Sequence, residues 1–146
     1  RVTSLHTRGV VAMSGTFGYE LNPALLSAEE KAEIHTQLAK YREHQELIRE
    51  GNYYRLSDPF QDDIAAWMVV SEDKEQALVS VVRLAAEANP VATYVNLKGL
   101  EEDAFYLEKT TGKVYAGASL MEAGILLPMP KGEYEAYQIV LQKVNR

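Results

Sequence analysis

The chain contains no cysteine. Disulfides, thiolate metal sites and cysteine nucleophiles are excluded together, and the composition fits a reducing compartment, so a cytoplasmic location is expected. Histidine is scarce: His6, His35 and His44 are the whole complement. His35 and His44 fall on one predicted helix at a spacing that points them to opposite sides, so they cannot share a metal. No metal site and no cofactor is expected. Basic residues are outnumbered, fifteen Lys and Arg against twenty-one Asp and Glu, for a formal net charge of -6. That balance offers no broad cationic surface for a phosphate backbone, and nucleic acid is not an expected partner. Apolar stretches such as Val10 to Met13, Trp67 to Val70 and Ile125 to Leu127 fall far short of the roughly 20 residues of a membrane-spanning helix. No membrane partner is expected either. Nothing near Arg1 resembles a signal peptide, and Arg in the place of Met is the expectation for an excised piece.

What is present is an ordinary globular composition, 47% hydrophobic and 25% charged, which rules out general disorder. The chain changes texture near residues 51 to 60, and two units are expected, 1–51 and 52–146. In the first, Gly9-Val10-Val11-Ala12-Met13-Ser14-Gly15 is an apolar run between glycines, the pattern of a strand covered on both faces in a parallel sheet. A loop from Thr16 to Pro23 follows, and Ser27 with Glu30 forms a capping box. From Ala28 to Glu50 the positions Ile34, Leu38, Tyr41 and Ile48 recur at helical intervals, predicting a one-sided amphipathic helix. Arg49 stands in its last turn, and Gly51 is expected to end it in a left-handed conformation.

The second unit holds seven of the nine tyrosines and reads as short strands between turns. Candidates are Tyr53–Leu56, Ile64–Ser71, Ala77–Leu84, Ala92–Leu97, Ala104–Glu108, Lys113–Ala116, Ile125–Leu127 and Tyr134–Lys143, with one helical turn over Ala118–Ala123. The pattern suits an antiparallel β-sandwich. A parallel strand needs neighbours on both edges, yet residues 1–51 supply only one. Either the unit adds to a larger α/β sheet encoded elsewhere, the favoured reading, or Val10 to Met13 joins the later β region as an ordinary antiparallel strand.

Chemistry has few bearers. Gly15-Thr16-Phe17-Gly18 lacks the Gly-Lys-Ser/Thr ending of a phosphate-binding loop and reads as a tight turn. Glu20 is a lone carboxylate in that loop, and a single carboxylate defines no acid–base mechanism. Phe17 and Tyr19 could stack on a sugar ring but read first as packing. Asp62-Asp63, Glu72-Asp73 and Glu101-Glu102-Asp103 are adjacent carboxylates in polar turns, unlike the facing pair of a glycosidase. Ser14-Gly15 has no nucleophile-elbow context. Trp67 is expected in the sandwich core. Tyr53, Tyr54 and Tyr94 form a sugar platform only where exposed.

The stations Thr7-Arg8-Gly9, Ala12 through Leu21, Lys40-Tyr41-Arg42, Glu46-Leu47-Ile48, Gly51 through Leu56, Asp58-Pro59-Phe60, Ala66 through Ser71 and Leu97-Lys98-Gly99-Leu100 occur in an order that resembles the C-terminal portion of the bacterial α-galactosidases of glycoside hydrolase family thirty-six. The resemblance covers essentially the whole chain. It implies an α+β fragment: the last strand and helix of a (β/α)8 barrel, followed by a C-terminal antiparallel β-sandwich domain. It implies hydrolysis of terminal α-linked galactose from melibiose- or raffinose-type sugars by a retaining mechanism. The nucleophile and acid/base aspartates of that mechanism lie upstream of anything matched here, and Asp58 is already the first aspartate of the sequence. The fragment alone is therefore expected to be inactive, with no catalytic residue of its own. Ser14, Gly15, Thr16, Phe17 and Glu20 would lie near the catalytic end of the barrel as substrate-rim residues. Expected partners are the α-galactoside substrate, the remainder of the barrel and further copies in a homo-oligomer. The alternative is a non-catalytic β-sandwich module that binds carbohydrate or a partner.

Overall fold

The computed structural model describes residues 3–86, 91–128 and 132–145. Helix α1 (Leu5–Ala12), a 3-10 turn (Pro23–Leu25) and helix α2 (Ala28–Glu50) come first. They are followed by β1 (Asn52–Arg55), β2 (Ile64–Val70), β3 (Gln76–Arg83), β4 (Tyr94–Val95), β5 (Phe105–Glu108), β6 (Val114–Ala116), α3 (Gly117–Glu122), β7 (Ile125–Leu126) and β8 (Ala136–Val144). All eight expected strands form, within two residues of their expected bounds in most cases, because alternation of apolar and polar side chains reports a half-buried strand directly. The expected turn at Ala118–Ala123 is α3.

Six strands make one antiparallel sheet in the order β1-β2-β3-β8-β5-β6, and β4 pairs with β7 in a two-stranded ribbon. Along β2, Ile64, Ala66, Met68 and Val70 are buried while the residues between them are half-buried. The first set joins Ala77, Val79, Val81, Ile139 and Leu141 in the main core, which the ribbon and α3 close with Val95, Leu120, Ile125 and Leu127. The opposite face carries α1 and α2, in contact with β3. β3 is therefore buried on both faces from Ala77 to Arg83.

The structure corrects the reading of residues 9–15. They are not a strand: Leu5–Ala12 is helix α1, with Ser4 as N-cap accepting from the Thr7 amide at 3.1 Å. A short apolar run cannot by itself distinguish a covered strand from a buried helix segment. Thr7 and Val10 are buried at helical spacing whereas Val11 and Ala12 are exposed, so only one stripe of the run is apolar by placement. Joining of Val10 to Met13 to the β region as an antiparallel strand is excluded by the same observation. Gly51 also departs from expectation. It ends α2 extended, with φ -71° and ψ 160°, and its N–H donates to the Leu47 carbonyl at 2.8 Å. Glycine is needed there for space, because a Cβ would overlap that carbonyl. Trp67 lies outside the sandwich core, on the helix-covered face, packed beside Val10, Val82 and Ala136.

Tyr106 ties the main core to two loops. Its ring is fully buried, its hydroxyl donates to the Lys74 carbonyl at 3.0 Å and accepts from the Glu101 amide at 3.0 Å. Lys74 has a left-handed φ of 59° in the β2–β3 hairpin, so the tyrosine holds a turn that a lysine adopts reluctantly. Tyr106→Phe would remove both bonds, to the Glu101 amide and the Lys74 carbonyl, and is expected to cost about 1 kcal/mol. Chemical denaturation checks this, and an unchanged midpoint would count against the role.

Candidate functional site

The segment between α1 and α2 carries the residues expected at a catalytic rim. Ser14, Gly15 and Thr16 are exposed, Phe17 is half-buried, and Glu20 is exposed. Ser14 borders a crevice of about 10 Å³ with Met13, Tyr53 and Trp67, too small for a sugar. Phe17 packs on Tyr41 of α2 with ring centroids 5.1 Å apart, and edge-on against Tyr19 at 5.1 Å. Its ring is thus engaged with the protein.

Beneath the loop lies a polar hub absent from the expected set. Gln37 is buried on α2; its Nε2 donates to the Leu5 carbonyl at 3.1 Å and to Glu33 Oε1 at 2.8 Å, and its Oε1 accepts from the Tyr19 hydroxyl at 2.6 Å. Gly9 of α1 lies against this amide, where a Cβ would overlap the Gln37 side chain. Glu33 continues the chain to His6 Nδ1 at 2.8 Å, and His6 Nε2 lies 3.1 Å from the Ala136 carbonyl of β8. The Thr7 hydroxyl donates to the Tyr134 carbonyl at 2.7 Å. One network therefore joins α1, α2, the loop and β8.

Its electrostatics follow from these contacts. Burial and then the neighbouring Glu33 charge push the Tyr19 hydroxyl upward, so it remains a donor to Gln37. Burial alone would raise the Glu33 carboxyl, but hydrogen bonds from Gln37 and His6, with the charges of His6 and Lys40, hold it below its usual 4.5. His44, also buried on α2, is pushed down chiefly by burial. His35 is exposed on the other side of the helix, and the two histidines do not meet. Sequence reasoning missed Gln37, and weighed His44 only as a metal ligand, because an apolar-periodicity search skips polar residues. Their signal was positional: Gln37, Tyr41, His44 and Ile48 share one helical stripe.

Along the loop, Phe17, Tyr19 and Leu21 are half-buried while Thr16, Gly18 and Glu20 are exposed. That period of two is the pattern of a strand lying on a helix.

Comparison with known proteins finds two family models. One, described as Melibiase, matches residues 1–51, and the other, the glycosyl hydrolase family 36 C-terminal domain, matches residues 64–141. The bifunctional α-galactosidase/sucrose kinase AgaSK of Mediterraneibacter gnavus is 62% identical over 99% of this chain, which covers 16% of that protein. α-Galactosidase AgaA of Geobacillus stearothermophilus is 46% identical over 100% of this chain, which covers 20% of it. The solved galactosidase domain of AgaSK superposes with a TM-score of 0.97 over 99% of this chain and 20% of that one. A variant of AgaA solved in complex with raffinose gives a TM-score of 0.95 at 43% identity over 99% of this chain and 20% of that one. The chain thus spans about a fifth of the length of the relatives it matches.

Two outcomes test the hub. Gln37→Leu would take away the acceptor of the Tyr19 hydroxyl and a donor to Glu33, while the Leu5 carbonyl keeps its helical bond, at a cost of about 1–2 kcal/mol. Amides of residues 14–22 should then exchange with deuterium faster, and unchanged protection would refute the anchoring role. Glu33, held below its unfolded value, contributes stability that is complete above the ordinary Glu range and lost as pH falls through its lower folded value. A melting series across acid pH should show this loss diminished in Glu33→Gln; identical profiles would oppose it.

Proposed function

The chain belongs to glycosyl hydrolase family 36, and we propose that it is the C-terminal portion of an α-galactosidase that releases terminal α-linked galactose from oligosaccharides with retention of configuration. The observation that carries this reading is the match to the AgaSK galactosidase along 99% of the chain, in sequence and in backbone. Raffinose bound to an AgaA variant supports oligosaccharides of that type as substrates.

We divide the chain at residues 51 and 52, a terminal βα unit of the barrel before and the C-terminal β domain after; the separate family matches support this. The strand of that unit is then residues 16–21, in place of 9–15. Alternate burial of Phe17, Tyr19 and Leu21 supports it, as does the packing of Phe17 and Tyr19 on α2. Neighbouring strands would come from the remainder of the barrel. Ser14, Gly15, Thr16, Phe17 and Glu20 border the catalytic end, and Gln37 fixes Tyr19 beneath them. Their task is support: a retaining mechanism needs two carboxyl groups roughly 5–5.5 Å apart, and Glu20 is the one carboxylate between Gly15 and Leu26. Both reacting acids belong to the upstream barrel.

Self-association and a cytoplasmic location complete the reading. Leu25 at 82% and Phe60 at 93% exposure favour cover by further polypeptide, and the lack of cysteine favours a reducing compartment. Among the described residues no helix is long and apolar enough to cross a membrane.

The test is an assay on a chromogenic α-galactoside. The purified 146-residue chain should give no turnover, whereas a longer polypeptide with the upstream barrel should hydrolyse the substrate. Turnover by the chain alone, or none by the longer protein, would overturn the proposal.

A further inference from the structure

A cleft of the β domain, sharing no lining residue with the loop above, lies where β2 begins, β3 ends and β4 passes in front of them. It has a volume of about 340 Å³, at the small end of the roughly 300–1,000 Å³ of small-molecule sites. Arg83, Asp62, Asp63, Thr93, Tyr94 and Asn96 are among its lining residues. Period-two alternation turns Arg83 to the same inner face as Ala77, Val79 and Val81. The residue is 6% exposed, and among the described residues no carboxylate or carbonyl accepts from its Nε or Nη2. Those two nitrogens form one edge of the guanidinium fork, which suits a pair of oxygens. The Tyr137 hydroxyl lies beside the same guanidinium and interacts with it.

We propose that this cleft is a second carbohydrate site, separate from the barrel's catalytic end, that receives a neutral pyranose unit. Tyr94 is 57% exposed and offers an aromatic face for the C–H side of a ring. Asp62 is held in a turn by its Oδ2, which accepts from the Asp58 amide at 2.7 Å; it and Asp63 supply acceptors for ring hydroxyls. Arg83 supplies donors at the floor, where a sugar oxygen gives Nε and Nη2 an acceptor. Two carboxylates against one guanidinium leave the lining net negative, which disfavours a carboxylate or phosphate ligand and selects an uncharged one. The choice of galactosides as probes rests on the proposed function; the site itself stands on the cleft.

The experiment titrates the isotopically labelled 146-residue chain with methyl α-galactoside and with raffinose, followed by amide NMR, with sodium acetate as the anionic comparison at equal ionic strength. Saturable shifts confined to Asp62, Asp63, Arg83 and residues 93–96 are expected, with little response to acetate. Tyr94→Ala, at an exposed position, should weaken binding about tenfold while the rest of the spectrum stays in place, and Arg83→Met should abolish saturation. Non-saturating shifts, shifts confined to residues 14–21, a stronger response to acetate, or unchanged binding by Tyr94→Ala would each overturn the site. Because no hydrolysis is measured, an inactive longer protein would refute the proposed function and leave this result untouched.

Discussion

One buried amide holds α1, α2 and the loop between them in register. Gln37 has a donor hydrogen for the Leu5 carbonyl of α1, another for Glu33, and a carbonyl oxygen for Tyr19 of the loop. Gly9 gives it room by having no side chain. A buried primary amide is costly when unsatisfied and rigid when all its positions are used, so this contact specifies one placement of α1 on α2 where apolar packing alone would permit sliding. The network runs on through His6 to β8. The helical face of the sheet and the loop above it are therefore positioned by the same set of hydrogen bonds.

How much of this was legible in the sequence depends on which force placed each element. The β domain was legible because a strand with one covered face writes its burial into every second residue, as Ile64, Ala66, Met68 and Val70 do. Helix α2 was legible from Ser27 and Glu30, whose reciprocal bonds form at 3.2 and 3.0 Å. Helix α1 was misread because its apolar run includes Val11 and Ala12 on the exposed side; the N-cap at Ser4, upstream of the run, was the arbitrating signal. Trp67 was assigned to the core by its neighbours, whereas strand parity sends it to the opposite face from Ala66 and Met68. Large size argues for burial but not for which side.

The loop residues were correctly located between helix and preceding element, but their roles depend on long-range contacts that local spacing does not encode. Phe17 finds Tyr41, and Tyr19 finds Gln37, across the turn into α2. Arg83 illustrates the converse. Its inward direction follows from the alternation of β3, yet charge near the end of a strand is ordinarily read as solvated. Family resemblance supplied what periodicity could not: the expectation of a larger barrel sheet, attached in the sequence to residues 9–15, and the reason no pair of reacting acids is expected in this chain.

The sheet order β1-β2-β3-β8-β5-β6 places β8 between β3 and β5. During synthesis the hairpin of β2 with β3 and the hairpin of β5 with β6 can each form early, but they remain two separate ribbons with open edges until β8 emerges. Closure joins residues such as Leu78 and Val140 across a long loop, an entropically slow step. The same strand receives the bonds from His6 and Thr7, through Ala136 and the adjoining Tyr134. Helix α1 thus waits on β8, and the nascent chain must keep its unpaired edges from other chains until that strand leaves the ribosome.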